Sequence, residues 1–232
     1  MLVAFWSPKG GSGTSVLAAA VAVALAQRGP TRLADLAGDQ PAVLGLATEP
    51  AHGLADWLEL GTGAPVEALD RLAVDVVPGL KLLPRGVSGE GVLAPVAAAE
   101  TGAALAVALR DGPPTVVDAG TASTPATRAI VEVAEQSVVV VRRCYLALRR
   151  AARIEATRRA TGVVVVEESG RALSPQEITD VLDLRVLVSV PWKAAIANAV
   201  DAGVLAGRPP DVIARPVDAL LAAIGAGRRH AA

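Results

Sequence analysis

The sequence predicts an α/β fold, a single three-layer domain in which a mostly parallel β-sheet is flanked by helices on both faces. Short apolar segments alternate along the chain with segments of helical character, and strands that are apolar throughout are typical of a parallel sheet covered on both sides. The chain has 232 residues, of which 52% are hydrophobic and 19% charged, so it can bury a large core and is not disordered. Residues 1–232 are therefore expected to form one domain.

The first part of the chain begins with an apolar strand and a central helix. Residues 2–6 (LVAFW) have the length and composition of a buried strand, and a glycine-rich loop follows. The helix predicted for residues 15–28 is apolar on nearly all faces and should be buried. The elements predicted next are a strand at 31–36, short helices at 54–60 and 66–72, strands at 74–77 and 80–84, and a helix at 92–110 with a weak point at Gly102.

The rest of the chain alternates between strands and helices. A capping box opens one helix at Ser174, because Pro175 stands at the first helical position and Glu177 at the third. Strands are predicted at 114–118, 137–142, 163–167 and 185–190, and further helices at 124–135, 145–160 and 192–200. The last helix carries an apolar stripe at helical spacing, formed by Val217, Leu220, Leu221 and Ile224.

Composition excludes several classes of protein. A net charge of −1 argues against a domain that is basic as a whole and binds nucleic acid. One cysteine and two histidines exclude a disulfide framework and make a thiolate-rich or multi-histidine metal site implausible. The longest purely apolar run, residues 16–26, is too short to span a membrane, and the N-terminus lacks the pattern of a signal peptide. We therefore expect a cytoplasmic protein.

The most informative segment is the loop at residues 7–15 (SPKGGSGTS), which joins the first strand to the first helix as a phosphate-binding loop does. Glycines in such a loop let successive backbone N–H groups turn toward phosphate oxygens, and the helix N-terminus adds a favourable dipole. The pattern G-x-x-x-x-G-K-[ST] is met at Gly13 and Ser15, but Pro8 replaces its first glycine and Thr14 its lysine. The alternative interpretation is a glycine-rich turn that holds no ligand.

The loop resembles the deviant Walker A motif of the ParA/MinD family of P-loop ATPases, K-G-G-x-G-K-[ST], whose opening matches Lys9, Gly10 and Gly11. Other stretches are similar to further motifs of that family, namely Asp35 at the end of the second strand, Asp118-Ala119-Gly120, the strand at 138–142 and Pro191. The resemblance covers nearly the whole chain. It is closest to the CpaE/TadZ branch, atypical ATPases of pilus-assembly and of polar or septal localisation systems, where a small residue often replaces the second lysine.

The resemblance implies a site for ATP or ADP with Mg²⁺. In the family the signature lysine, here Lys9, reaches across a homodimer to the nucleotide of the partner. Ser15 and Asp118 would hold the Mg²⁺ ion. The implied nucleotide-binding set comprises Lys9, Gly10, Gly11, Ser12, Gly13, Thr14, Ser15, Asp35 and Pro191.

Three departures from the family pattern weaken the implied chemistry. Thr14 carries no charge, and Ala37 stands where the family has its water-orienting aspartate. Glu167 or Glu168 stands where the family has its adenine-binding asparagine. Because phosphoryl transfer depends on positioning and electrostatic stabilisation, the expected hydrolysis is very weak or absent. Asp39, which follows Ala37 by two residues, is the carboxylate that could substitute.

The implied function is that of a localisation or scaffold factor at a pole, septum or pilus base, homodimeric and with a protein partner that the sequence does not name. Its fold would either bind ATP weakly or hold no nucleotide. An alternative is an active, ATP-hydrolysing dimerisation switch in which Asp39 orients the water.

A further alternative is a partitioning protein that associates non-specifically with DNA through an arginine cluster. Arg149 and Arg153 are spaced to share a helix face. A solvated helix face is the favoured interpretation of this cluster, which comprises Arg142, Arg143, Arg149, Arg150, Arg153, Arg158 and Arg159.

Two expectations concern the surface. The last helix, with Arg228, Arg229 and His230 behind it, could contact a membrane surface, but docking of its stripe on the sheet is favoured. Trp6 and Trp192 are expected near the nucleotide cleft, and Trp57 is the tryptophan best placed by sequence to contact a partner.

Overall fold

The computed structural model describes residues 1–87 and 94–225, and the strands in these ranges form one sheet. The strands are β1 (Leu2–Trp6), β2 (Thr31–Asp35), β3 (Val74–Val77), β4 (Leu80–Leu83), β5 (Thr115–Asp118), β6 (Gln136–Arg142), β7 (Gly162–Glu167) and β8 (Val186–Pro191). Their order across the sheet is β3-β4-β2-β5-β1-β6-β7-β8. All neighbours are parallel except β3 and β4, which form an antiparallel pair at one edge.

The helices cover both faces of this sheet. They are α1 (Thr14–Ala26), α2 (Gln40–Leu44), α3 (Leu54–Glu59), α4 (Ala68–Leu72), α5 (Pro95–Arg110), α6 (Pro125–Val133), α7 (Tyr145–Ala151), α8 (Glu155–Arg158), α9 (Pro175–Leu182), α10 (Ala194–Asp201) and α11 (Asp211–Ala223). Buried side chains of α1, α2, α10 and α11 pack on one face, and those of α3 to α9 pack on the other. The predicted three-layer α/β fold with a mostly parallel sheet is therefore confirmed.

The central strand β1 is buried on both sides, which explains its continuous apolar sequence. Val3 and Phe5 point into the layer that contains α1, whereas Leu2, Ala4 and Trp6 point into the opposite layer. The helix α1 lies on this strand and is itself covered by α11 and α2. Because α1 is surrounded by apolar elements, it has no polar face, as its sequence indicated.

The last helix docks as expected. The side chains of the stripe from Val217 to Ile224 are buried against α1 and β8, and Arg28 on the turn after α1 donates to Asp218 at 3.0 Å. Among the described residues no helix has the length and apolarity needed to cross a membrane. The predicted basic tail, Arg228, Arg229 and His230, lies outside the described residues, as do residues 92 and 93 of the helix predicted for 92–110.

The prediction of one helix at 145–160 was wrong, because α7 and α8 are separated by a turn at residues 152–154. Ala151 and Ala156 are both buried in the same layer, yet five residues along a continuous helix would place them about 140° apart. The turn lets both face the core. Arg153 therefore lies outside α7 and does not share a helix face with Arg149.

Two tryptophans belong to the core. Trp6 is fully buried, and its indole N–H donates to the Ser137 hydroxyl at 3.1 Å. Trp57 is 2% exposed and donates to the carbonyl of Pro65 at 3.0 Å. The expectation that Trp57 contacts a partner was wrong, because α3 turns this side chain inward to fill the layer below the sheet.

Close backbone contacts occur where helices meet. A Cβ atom built on Gly102 in α5 would lie 2.4 Å from the carbonyl oxygen of Ala126 in α6. A Cβ atom built on Gly45, at the end of α2, would lie 2.2 Å from the carbonyl oxygen of Gly203, after α10. The weak point predicted at Gly102 is thus the position that lets α5 and α6 approach.

We expect Gly102→Ala to lower the free energy of unfolding by about 1–3 kcal/mol, because the added methyl group forces α6 away. An exposed helix position would show the opposite sign, since alanine is the better helix former. Urea unfolding measures the change, with Gly63→Ala as the control because a Cβ there meets nothing within 4 Å. An unchanged or raised midpoint for Gly102→Ala would contradict the close packing.

Candidate functional site

The loop at residues 7–15 leaves the end of β1 and is braced at both ends. The N–H of Ser7 donates to the carbonyl of Gly120 at 2.8 Å, which ties the loop to the segment after β5. The hydroxyls of Ser7 and Ser12 both donate to the carbonyl of Lys9, at 2.9 and 2.8 Å. These bonds hold the loop in a fixed curve before α1 begins.

The glycines of the loop border open space. A Cβ atom built on Gly10, Gly11 or Gly13 would meet no other atom within 4 Å, and these residues line a cleft of about 730 Å³. Gly13, immediately before α1, has φ +83°, a left-handed conformation that favours glycine. The loop therefore has the shape of a cradle at a helix N-terminus, which fits a phosphate group.

The next two residues supply hydroxyl groups but no charge. The Thr14 side chain is buried, and its hydroxyl makes no hydrogen bond to any described residue. The Ser15 hydroxyl donates to Oδ2 of Asp39 at 3.4 Å. Lys9 is the lysine of the loop, and its Nζ donates to the carbonyl of its neighbour Gly10 at 3.3 Å.

Behind the loop, two buried aspartates lie side by side, because Asp35 and Asp118 are register partners at the ends of β2 and β5. Oδ1 of Asp35 accepts the N–H groups of Ala37 and Gly38, and Oδ2 accepts the N–H of Gln40. Oδ1 of Asp118 accepts the N–H of Gly120 at 3.1 Å. The backbone thus satisfies most of the carboxylate oxygens.

Gln40 joins this pair to the start of α1. Its side-chain amide donates to Oδ2 of Asp118 at 2.8 Å and to the carbonyl of Ser15 at 3.0 Å, while its backbone N–H donates to Asp35. Gln40 is fully buried. This role of Gln40 was not predicted from the sequence. Gln40 lies between Asp39 and Pro41, where the short helix α2 begins.

Burial controls the protonation of the two aspartates. Removal from water raises the pKa of Asp35 to about 7, and the nearby Asp118 carboxylate adds to this rise, while the backbone N–H groups oppose it. Burial also raises the pKa of Asp118, and the hydrogen bond from the Gln40 side chain opposes this rise. A cation bound beside them would favour their charged forms.

The oxygen atoms at this end of the sheet suit Mg²⁺ better than a metal held by protein ligands alone. Ser15 and Asp39 line the cleft, and the Gln40 amide joins the backbone carbonyl of Ser15 to the Asp118 carboxylate. The described residues contain no group of three or more His, Cys, Asp or Glu side chains able to hold a metal. Mg²⁺ commonly takes one or two protein oxygens together with waters and substrate phosphates, so the residues present fit that ion.

Ala37 lines the cleft, so the position where the resemblance expects a water-orienting aspartate is apolar. Asp39 lies in the same cleft, and its carboxylate accepts from Ser15. The side chain of Asp39 is therefore directed toward Ser15.

On the other flank, Pro191 ends β8 and lines an apolar pocket of about 80 Å³ next to Gly13, together with Val166, Ile196 and Trp192. Trp192 is 49% exposed and borders both this pocket and the larger cleft. Trp192 thus lies beside the cleft of the glycine loop as expected, whereas Trp6 packs in the core and does not line this cleft.

Arg142 connects this flank to the loop, a contact that sequence analysis missed. Its guanidinium lies 4.7 Å from the centre of the Trp192 ring, donates to the carbonyl of Gly11 at 3.3 Å and pairs with Glu168 at 2.5 Å. Arg171 also pairs with Glu168. Hydrogen bonds from these arginines lower the pKa of Glu168, so one of the two glutamates that stand where the resemblance implies an asparagine is engaged within the protein.

The structure divides the predicted arginine cluster. Arg142 is engaged as described, and Arg143 donates to the carbonyls of Leu173 and Arg171. The remaining members are exposed, namely Arg149, Arg150, Arg153, Arg158 and Arg159. Their placement on α7, the turn after it and the end of α8 gives no single helical face for DNA.

Solved structures of ParA and MinD proteins share the fold. The ParA-family ATPase of Chlorobium tepidum matches with a TM-score of 0.78 at 21% identity, over 95% of this chain and 97% of that chain. The cell division ATPase MinD of Pyrococcus furiosus matches with a TM-score of 0.79 at 21% identity, over 97% and 98% of the two chains. The septum site-determining protein MinD of Pyrococcus horikoshii, in complex with Mg-ADP, matches with a TM-score of 0.76 at 17% identity, over 98% and 96%.

These likenesses confirm that the chain has the ParA/MinD P-loop NTPase fold. No protein-family model and no curated protein matches the sequence.

The buried aspartates predict an unusual pH dependence. An aspartate in an unfolded chain has a pKa of about 3.9, so between about pH 4 and 7 the folded protein holds a proton on Asp35 that the unfolded chain has lost. The free energy of unfolding is therefore expected to fall as the pH rises through this range. Urea unfolding at several pH values without Mg²⁺ measures it.

Asp35→Asn cannot ionise and should flatten that slope, whereas Asp201→Asn on the surface end of α10 should leave it unchanged. Equal slopes for the wild type and Asp35→Asn, or a wild-type stability that rises with pH, would contradict the assignment.

Proposed function

We propose that this protein binds ATP or ADP with Mg²⁺ in the cleft at residues 7–15, hydrolyses ATP very slowly or not at all, and acts as a homodimeric localisation or scaffold factor. The observation that carries the proposal is a glycine-lined backbone cradle at a helix N-terminus that lacks the side-chain charges implied by the resemblance. Gly10, Gly11 and Gly13 border an open cleft, while Thr14 and Ala37 supply neither the cation nor the carboxylate that hydrolysis needs.

Different parts of the cleft would bind the phosphates, the Mg²⁺ ion and the nucleobase. Backbone N–H groups of the loop would bind the phosphates, and the N-terminus of α1 adds its dipole. Ser15 and Asp118 would hold the Mg²⁺ ion, which supplies positive charge between the phosphates and the protein. Gln40 orients Asp118 through the 2.8 Å hydrogen bond. Pro191 and Trp192 border the pocket beside Gly13 that suits the nucleobase.

Slow hydrolysis follows from what the cleft lacks. The Thr14 hydroxyl can accept or donate a hydrogen bond, but it cannot neutralise charge that develops on the phosphoryl group. Ala37 has no side-chain group that can orient a water. Loss of such groups costs orders of magnitude in rate.

The homodimer and the scaffold role rest on the resemblance and on the fold. Lys9 is the residue that would reach the partner's nucleotide, so that binding stabilises the dimer and gates a partner surface. The solved structures of the same fold include a cell division ATPase and a septum site-determining protein, which supports a role in cell organisation. The CpaE/TadZ type of function, at a pole, septum or pilus base, is proposed from the sequence motifs.

Titration of Mg-ATP by calorimetry, with mass-resolved size exclusion on the same samples, tests the proposal. We expect a Kd on the order of 10–100 µM and a shift from monomer to dimer. Ser15→Ala should weaken binding about tenfold in Mg²⁺ but leave binding in EDTA unchanged, because only the metal contact is removed. Ser189→Ala, on β8, is the matched control. If neither heat nor a change of mass is detected at millimolar ATP, the proposed nucleotide binding is wrong. Only the scaffold role would then remain of this proposal.

One observation favours a second function, an active ATPase switch, because Asp39 lies in the cleft with its carboxylate 3.4 Å from the Ser15 hydroxyl. This alternative predicts measurable phosphate release that both Lys9→Ala and Asp39→Ala abolish. Asp201→Ala should have no effect in the same assay. Turnover that is absent in the wild type, or unchanged in both variants, would refute the active switch.

A further inference from the structure

The sheet order brings an arginine to the wall of the cleft opposite the glycine loop. Arg85 follows β4, and β4 is separated from β1 by β2 and β5. Parallel strands lie about 4.8 Å apart, so the ends of β4 and β1 are roughly 14 Å apart, a span that suits a polyphosphate and an arginine side chain together. Arg85 lines the same cleft of about 730 Å³ as the glycine loop.

The backbone around Arg85 is clamped to the start of α3. The carbonyls of Pro84 and Arg85 accept the N–H groups of Leu54 and Ala55, at 2.8 and 3.0 Å. A Cβ atom built on Gly53 would lie 2.1 Å from the carbonyl oxygen of Pro84, and one built on Gly86 would lie 2.7 Å from the nitrogen of Gly53. The backbone at Arg85 is therefore held in place by hydrogen bonds to α3 and by close packing against Gly53.

The side chain of Arg85 passes over the loop that follows Asp35. A Cβ atom built on Gly38 would lie 3.4 Å from Cδ of Arg85 and 4.0 Å from its Nη1. A glycine at position 38 leaves room for this arginine, and the neighbouring Ala37 brings no carboxylate to it. An arginine side chain therefore lies beside the segment in which the resemblance implies a carboxylate and this chain has Ala37.

The charge of Arg85 is not neutralised by a described carboxylate, since within residues 1–87 and 94–225 it forms no ion pair. Arg142, the other arginine near the loop, differs in this respect. It pairs with Glu168 at 2.5 Å and stacks on Trp192. Of these two cations, Arg85 is the one available to an anion in the cleft.

We propose that Arg85 binds the terminal phosphate of a nucleoside triphosphate and supplies, within the same chain, the positive charge that Thr14 cannot provide. This inference rests on the proposed nucleotide binding and names a residue and a specificity for it. A guanidinium at the far wall of the cleft contacts the third phosphate of ATP, whereas ADP ends before reaching it. The site therefore distinguishes triphosphate from diphosphate by charge.

Calorimetric titrations of Mg-ATP and Mg-ADP into the wild type and variants test this directly. Arg85→Ala should weaken ATP binding about tenfold or more, the loss typical of a charge-assisted hydrogen bond. ADP binding should change by less than about threefold, because ADP lacks the phosphate that Arg85 contacts. Arg85→Lys should recover part of the loss, since it keeps the charge but not the fork of donors.

Two controls accompany these variants. Arg149→Ala removes an exposed arginine on α7, outside the cleft, and should leave both affinities unchanged. Arg85→Gln keeps an aliphatic stem over Gly38 and serves if Arg85→Ala lowers the urea midpoint, so a loss of fold is not mistaken for a loss of binding.

The outcomes separate this inference from the proposed function. If the wild type binds ATP and Arg85→Ala binds it equally well, Arg85 has no part in binding and only this inference is overturned. An equal loss for ATP and ADP would also overturn it, because the contact would then lie nearer the loop. A wild type that binds neither nucleotide overturns the proposed function and this inference together.

Discussion

Two carboxyl groups buried side by side impose the constraint on which the rest of the site depends. Asp35 and Asp118 end neighbouring strands, and two charges so placed repel each other and lack water. Hydrogen bonds to both carboxyl groups offset part of this cost. Three backbone N–H groups turn toward Asp35, and Gln40 reaches Asp118. These bonds fix the course of the chain from β2 into α2, and the side chain of Gln40 then ties that segment to Ser15 at the start of α1.

The site keeps what the backbone supplies and lacks what particular side chains must supply. A loop that leaves a central strand and enters a buried helix presents its N–H groups in whatever side-chain context it folds, provided that glycine stands at positions such as Gly13. Charges do not persist in this way, because one substitution removes each of them. Thr14 and Ala37 carry no charge, whereas Arg85 lies on the opposite wall of the cleft. The backbone shape of the loop is therefore present without the side-chain charges that the resemblance implies at positions 14 and 37.

Much of this could be predicted from local sequence. Continuously apolar strands, the glycine loop, Ser174 as a cap and the stripe on α11 are all properties of short segments, and the structure confirms them. What escaped prediction depends on neighbours distant in sequence. Arg85 approaches Gly38 only because β4 pairs with β2. The break between α7 and α8 and the inward turn of Trp57 arise from how helices fill the layer below the sheet, which helical periodicity alone does not show.

The backbone contact between Gly45 and Gly203 joins two parts of the chain that are far apart in sequence. Gly45 ends the helix that Gln40 begins, and Gly203 follows the helix that leads away from Trp192. A Cβ built on Gly45 would lie 2.2 Å from the carbonyl oxygen of Gly203, so a side chain at this position would force the two turns apart. The shape of the turn that ends α2 is thus tied to the shape of the turn that ends α10, and the two flanks of the cleft share one steric constraint.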